Sequence, residues 1–203
     1  MNLLLVLQNI LAIGVPFSVA LLLAALGEMF NQRAGVFNLG CEGIMAMGAF
    51  LGFLPSFLLK GSALAPWAPA IGIACAALAG ILLGLLFGLV TVSFRAPQGI
   101  AGIGLQMLGW GTAGTLSRRF VGGVTGIPGI DTWPIPGLSK IPFLGPILFS
   151  MTPFGYFGFL MVPISWYVLF KTPWGLKVRA VGTHPRAADT MGTKVARTRF
   201  QAL

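Results

Sequence analysis

Chemistry at a protein site needs groups that titrate, attack or coordinate, and this chain has few. Its 4 acidic residues are Glu28, Glu42, Asp131 and Asp189, and each lies in a different segment. His184 is its 1 histidine, and the 2 cysteines, Cys41 and Cys75, sit in apolar stretches without disulfide or metal spacing. A membrane enzyme would need paired carboxylates, a His/Cys cluster or a Ser–His arrangement, and none is spelled out. A phosphate-binding G-x-x-x-x-G-K-[ST] loop is also missing. The sequence therefore points away from an enzyme, with no catalytic residue, metal site or cofactor expected.

The most informative single residue is Glu42. It stands in a mostly apolar segment, residues 35–59, where a carboxylate is expensive: about 2.5–3.5 kcal/mol for Asp at a transmembrane helix centre. Its neighbourhood reads Gly35-Val36-Phe37-Asn38-Leu39-Gly40-Cys41-Glu42-Gly43. Glycine at this density argues for a broken or unwound helix, and broken helices in transporters line a cavity. Asn38, Gly40, Glu42 and Gly43 are thus candidates for a substrate pathway. Two roles stay open for Glu42: contact with a ligand, or capping of the half-helix that follows, where the helix dipole favours an anion.

A second candidate group is Gly102, Gln106 and Trp110, spaced i, i+4, i+8. Gln106 and Trp110 could recognise a flat polar solute by hydrogen bond and stacking. The competing reading has Gln106 bridging to a neighbouring helix and Trp110 in an interfacial belt. Gly72, Ala76, Gly80, Gly84 and Gly88 recur at four-residue spacing, a stripe that lets another helix approach closely in lipid.

These residues sit in a chain of 203 residues that is 56% hydrophobic and only 8% charged, with mean hydropathy +0.90. A soluble domain is nearer a quarter charged, and a disordered one is poor in apolar residues. The expected class is all-α, a polytopic transmembrane helix bundle with a broken or re-entrant second span. The apolar runs predict about five spans over residues 3–26, 35–59, 70–92, 99–116 and 147–170, forming a transmembrane domain over residues 1–170. Residues 117–146 form the longest loop before the tail, extracytoplasmic when the tail is cytoplasmic, with Pro128, Pro134, Pro136, Pro142 and Pro146 denying it a long helix. A re-entrant second span would reverse the side on which the N-terminus lies.

The net charge of +9 would suggest nucleic acid in a soluble protein. Here Lys171, Lys177, Arg179, Arg186, Lys194, Arg197 and Arg199 follow the last span, which is the positive-inside pattern of a cytoplasmic segment over residues 171–203. Lipid, not nucleic acid, is the expected surrounding. Within the tail, residues 185–191 predict a short helix, with Pro185 at its first position and Gly192 just past its end. Such a helix is not stable alone in water and must dock on something. Pro185, Arg186, Ala187, Ala188, Asp189 and Gly192 are the candidate docking residues, with a soluble cytoplasmic partner favoured over lipid headgroups because the segment has no large apolar face.

Two stretches together carry a family resemblance. Gly27-Glu28 followed by Arg33 to Met45 resembles the signature of permease subunits of bacterial ABC importers. More narrowly it is similar to the nucleoside and simple-sugar branch, related to ribose and branched-chain amino acid permeases. Gly175-Leu176-Lys177-Val178-Arg179-Ala180-Val181-Gly182 with Pro185-Arg186-Ala187-Ala188-Asp189 and Gly192 resembles the coupling loop of that branch. Leu138 to Pro142 and Gly145 to Phe149 also look typical of it.

The resemblance implies a multi-pass plasma (inner) membrane subunit for uptake of a nucleoside or simple sugar-like solute. It also implies cytoplasmic ABC ATPase subunits gripping the 185–191 helix, a second permease subunit in a heterodimer, and an extracytoplasmic substrate-binding lipoprotein. Permeases of this branch continue past the coupling loop, so the sequence is expected to be C-terminally truncated, with a further helix beginning at Val195. The competing function is a non-transporting membrane scaffold or assembly subunit, which would share the glycine stripe and basic tail without needing Glu42 in a broken span.

Overall fold

A computed structural model describes residues 3–122 and 129–203. Among the described residues the regular structure is helical, and four helices are long and apolar enough to cross a membrane. The first, α1 (Leu3–Arg33), spans 31 residues, roughly 46 Å at 1.5 Å per residue. It passes through Pro16 and runs on through the polar stretch that follows the apolar run. Glu28 accepts hydrogen bonds from Asn31 Nδ2 and Gln32 Nε2, three and four residues on, which ties the polar residues together along the helix, although Asn31 Oδ1 is buried without a partner among the described residues.

The second span is broken, as the glycine density requires. Residues 34–40 are non-helical, with Gly35 at φ 77, and α2 (Cys41–Leu58) begins only at Cys41. At 18 residues α2 is roughly 27 Å long, short of the ~30 Å hydrocarbon core, and the extended entry makes up the difference. Next comes α3 (Ala68–Gly88), whose last turns widen into a π-helical stretch, Leu89–Ser93. α4 (Gln98–Phe120) is 23 residues long but is not among the four helices apolar enough to cross on composition alone.

The small residues of α3 face two different neighbours. A Cβ on Gly72 would strike the Gly52 carbonyl of α2, and Ala76 Cβ lies 3.6 Å from where a Cβ on Gly52 would sit. Lower down, a Cβ on Gly80 would reach Ile44 Cγ2 at 4.0 Å. The last two members turn to the chain end: Gly84 faces the Leu203 carbonyl, and a Cβ on Gly88 would meet Leu203 and Phe200 side chains within 2.7 Å.

Of the proline-rich loop, residues 123–128, including Pro128, lie outside the described residues. The remainder pairs Trp133 N–H with Met151 C=O and Ile135 N–H with Phe149 C=O before the short helix α5 (Leu144–Leu148). The last long helix, α6 (Pro153–Lys171), opens six residues later than the apolar run that begins at Ile147. Pro153 sets the start, since a residue without an N–H fits the first turn but not a helix interior. Ile147 instead belongs to α5, which packs on α1.

The tail is three short helices, α7 (Pro173–Thr183), α8 (Pro185–Thr190) and α9 (Val195–Ala202). Thr172 caps α7 by accepting the Gly175 N–H. α7 and α9 share a core with the ends of α1 and α6: Ala34, Leu169, Val178 and Ala202 are buried together with Met29, Phe30 and Trp174 around them. A second core joins Val36, Phe87 and Leu105 to Leu203. A third, at the far end of α2 and α4, holds Phe50, Ala113 and Val121. The Arg95 loop shares a cleft with Ala196 and Arg199, so it lies at the end of the tail. Lys60, Trp67, Asp131 and Phe154 line a cavity at the opposite end.

Candidate functional site

The unwound segment 34–40 threads between two groups of helices. Ala34 is buried in the core formed by α1, α6, α7 and α9, and Val36 in the one formed by α3 and α4. An unwound backbone in a membrane must have its N–H and C=O groups met by protein, and three side chains from distant parts of the chain do this. Glu28 Oε1 accepts the Asn38 N–H at 3.0 Å. Gln98, the first residue of α4, accepts the Phe37 N–H at 2.8 Å and donates to the Gly35 carbonyl at 3.3 Å. Arg199 of α9 donates to the Ala34 carbonyl at 3.3 Å.

Asn38 is 6% exposed, and its Oδ1 accepts the Gly40 N–H at 2.8 Å. Its carbonyl is therefore committed to a turn that leads the chain into α2. Gly40 and Gly43 permit the climb. A Cβ on Gly40 would meet Leu105 at 2.8 Å, and one on Gly43 would meet the Gln106 backbone at 2.6 Å. From the other side, a Cβ on Gly102 would meet Leu39 N at 2.7 Å, and one on Gly109 would strike the Gly43 backbone. Glycines on both partners bring the two backbones together.

Glu42 lies in the first turn of α2, where the dipole favours its charge, but α2 has Gly40 at its N-cap and no side-chain cap bond. The Glu42 carboxylate instead accepts a hydrogen bond from Gln106 Nε2 at 2.8 Å. Gln106 is eight residues into α4 from Gln98, which puts the pair roughly 12 Å up that helix from the tail end. Glu42 itself is exposed, and Gln106 is half-buried. The structure thus brings Gly40, Glu42, Gly43 and Gln106 together, buries Asn38 beneath them, and leaves Trp110 57% exposed, without a ring or hydrogen-bond contact to this group.

At the tail end, α8 starts at Pro185 and ends at Thr190, one residue short of the 185–191 helix expected, with Met191 as its C-cap. Pro185 occupies the first turn, and Gly192 follows the helix at φ 83, donating to the Asp189 carbonyl. Ala188 is buried against the rest of the tail, whereas Arg186, Ala187 and Asp189 are exposed and Met191 is 85% exposed. An apolar cavity of about 350 Å³, lined by Leu176, Ala180, Ala187 and Met191 among others, opens between α7 and α8. On the other flank a cavity of about 370 Å³ is lined by Lys177, Lys194, Arg197 and Trp174.

α7 reaches the unwound segment directly. A Cβ on Gly182, the residue two before His184, would strike the Arg33 carbonyl and lie 3.1 Å from Gly35 N. The tail therefore touches residues 33–35 through both Gly182 and Arg199, a few residues below Glu42. Among the described residues no group of His, Cys, Asp or Glu is placed to hold a metal ion.

A broken helix alone does not identify a family; the chain's relatives do. Residues 10–203 match the model of a family described as the branched-chain amino acid transport system permease component. The chain belongs to this family. It is 39% identical over 95% of its length to a guanosine ABC transporter permease protein of Bacillus subtilis, covering 62% of that protein. It is 35% identical over 96% of its length to a nucleoside ABC transporter permease protein of Lactococcus lactis, again covering 62%. A putative glucose ABC transporter permease protein of Haloferax volcanii is 36% identical over 93% of this chain, which covers 56% of it.

The chain thus spans about three-fifths of the length of these relatives. No solved structure matches it. Members of this family are transport permeases rather than enzymes. With four helices among the described residues fit to cross a bilayer, the chain is a multi-pass protein of the plasma membrane.

Three residues that hold the site were not singled out by spacing: Glu28, Gln98 and Arg199. Glu28 carries a weak local signal, since Asn31 and Gln32 lie at helical spacing from it. Gln98 and Arg199 carry none, because their partners are more than 60 residues away.

Proposed function

We propose that the chain is a membrane-spanning permease subunit of an ATP-binding-cassette importer for a nucleoside or simple sugar-like solute. A separate cytoplasmic ATPase docks on residues 185–191 and supplies the energy. Guanosine, nucleoside and glucose in the names of its relatives support the solute class. The partners in this reading are cytoplasmic ATPase subunits, a second permease subunit in a heterodimer, and an extracytoplasmic substrate-binding lipoprotein.

The observation that carries this reading is the physical continuity between the docking helix and the broken span. Closure of an ATPase on α8 moves α7 and α9, and both touch residues 33–35. Those residues are the root of the segment that ends in Glu42. Displacing them shifts the population between inward- and outward-open states. The pathway runs past Asn38, Gly40, Glu42, Gly43, Gln106 and Trp110. An exposed carboxylate cannot face hydrocarbon cheaply, so the Glu42 side of the bundle looks onto water or a second subunit. The pathway has a single charged group and one amide beside it, which suits a neutral solute rich in hydroxyls or ring nitrogens.

The test uses the assembled transporter. Ala187 is exposed on α8, so Ala187→Arg adds bulk and charge to the docking face without disturbing the tail's own core. Solute uptake and transport-stimulated ATP hydrolysis are expected to fall at least tenfold, with membrane insertion unchanged. Wild-type uptake in this variant would remove α8 from the coupling role.

A further inference from the structure

Two spans end side by side on the tail side of the membrane, and their last residues bring cations together without an acid between them. Arg33 is the last residue of α1 and Lys171 the last of α6. The Arg33 guanidinium lies 5.9 Å from the centroid of the Phe170 ring, and that of Arg179, from α7, lies 5.1 Å from the same centroid. One turn earlier, Lys171 Nζ lies 5.6 Å from the Trp166 ring, which is itself tilted against Phe170 at 6.3 Å. Among the described residues neither arginine has an ion pair or a hydrogen-bond acceptor, and Arg179 Nε is buried without one. Stacking on Phe170 holds two like charges near one ring, an arrangement that calls for an external anion.

The depth of the cluster says which anion. Phe170, Trp166 and Tyr167 are 38%, 53% and 59% exposed on a helix apolar enough to span the bilayer, and Phe170 is one residue from its end. Exposed aromatic rings just inside a line of cations mark the headgroup level of a membrane. We propose that Arg33, Phe170 and Arg179 form a site for the phosphate of an anionic phospholipid of the cytoplasmic leaflet. The guanidiniums bind the phosphate, Lys171 lends charge, and the acyl chains lie along Trp166 and Tyr167. The site uses none of the residues assigned to the solute pathway, although Arg33 adjoins the root of the unwound segment, and only its cytoplasmic side rests on the reading of the tail as cytoplasmic.

The test is lipid retention by the whole chain released from nanodiscs containing equal phosphatidylglycerol and phosphatidylcholine, read by native mass spectrometry. Phosphatidylglycerol is expected to be retained about tenfold over phosphatidylcholine. The double variant Arg33→Ala, Arg179→Ala should cut that preference at least fivefold, while Arg118→Ala, Arg119→Ala, the same charge change at the other end of the bundle, should leave it. Arg33→Lys, Arg179→Lys keeps the charges and guards against a folding loss; it should keep at least half of the preference. Equal retention of both lipids by the unaltered chain would overturn the site, as would equal loss in the Arg118/Arg119 control. Two further results would overturn the lipid assignment. One is competition by millimolar glycerol 3-phosphate, which marks a soluble anion. The other is loss of the preference when an ATPase partner binds, which marks acidic protein groups as the true occupant.

Discussion

Removing the Glu28 carboxylate should free the root of the second span. In the native chain Glu28 Oε1 accepts the backbone N–H of Asn38 at 3.0 Å, and Oε2 accepts Asn31 Nδ2 at 3.0 Å. Asn38 is 6% exposed, so in Glu28→Ala its N–H has no water to turn to. A hydrogen bond to a charged acceptor is worth about 1.5–3 kcal/mol net. Local opening of residues 36–40 should therefore become about tenfold to a hundredfold more frequent, since each 1.4 kcal/mol is a factor of ten. Glu28→Gln keeps one carbonyl oxygen for the Asn38 N–H but loses the charge, so its effect should be about fivefold, the difference between charged and neutral acceptors.

The chain supplies its own probe. Cys41 is half-buried at the start of α2, directly after the clamped segment, and Cys75 is half-buried on α3. In a Cys75→Ser background, maleimide labelling of Cys41 in detergent reports opening near the clamp. In a Cys41→Ser background, labelling of Cys75 reports opening of the bundle. Glu28→Ala should accelerate the first by at least tenfold and leave the second within twofold. If Cys41 labelling stays within twofold, or both thiols accelerate alike, the clamp assigned to Glu28 is wrong.

Other expectations follow from the same packing. A Cβ on Gly72 meets the Gly52 carbonyl while one on Gly80 has Ile44 at 4.0 Å, so Gly72→Ala should cost about 1–3 kcal/mol. Gly80→Ala should be neutral or stabilising by up to about 1 kcal/mol. Thermal melting followed by circular dichroism distinguishes them, and the reverse order would sink the assigned stripe. Gly182→Val strikes the Arg33 carbonyl and should reduce uptake by the assembled transporter more than it reduces insertion. Cysteines placed at Thr183 and Ser62, with Cys41 and Cys75 replaced, should be labelled from the cytoplasm and from outside respectively. Labelling of both from one side would refute the arrangement of the two ends.

Much of this architecture is legible along the chain because it depends on local spacing. The α3 stripe needs only a small residue every fourth position, and it lands on α2 and α9. The limits of α8 follow from Pro185 and Gly192, whose backbone preferences are intrinsic. The break before α2 follows from glycine density. What does not follow is where helices stop when polar residues bond along the helix, as in the extension of α1 through Glu28, Asn31 and Gln32. Nor does apolarity alone give the start of α6, where the proline decides and the preceding Ile147 joins α5.

The deepest part of the site is illegible for a physical reason. A break in a spanning helix exposes backbone groups that lipid cannot satisfy, so the donors and acceptors must come from elsewhere. Here they come from Glu28, ten residues back, from Gln98 on the next hairpin, and from Arg199 near the end of the chain. Local patterning cannot announce such pairings, because the segment and its clamps meet only after the helices pack. The same clamps limit how the site can move. Residues 34–38 are not frayed helix but a backbone held at fixed points, one of them on the α9 segment that adjoins α8. A shift of α9 must therefore stretch or release the Arg199 bond to Ala34 before anything changes at Glu42. The price of motion is set at Arg199, and Arg199→Ala should make the segment easier to move while weakening its link to the tail.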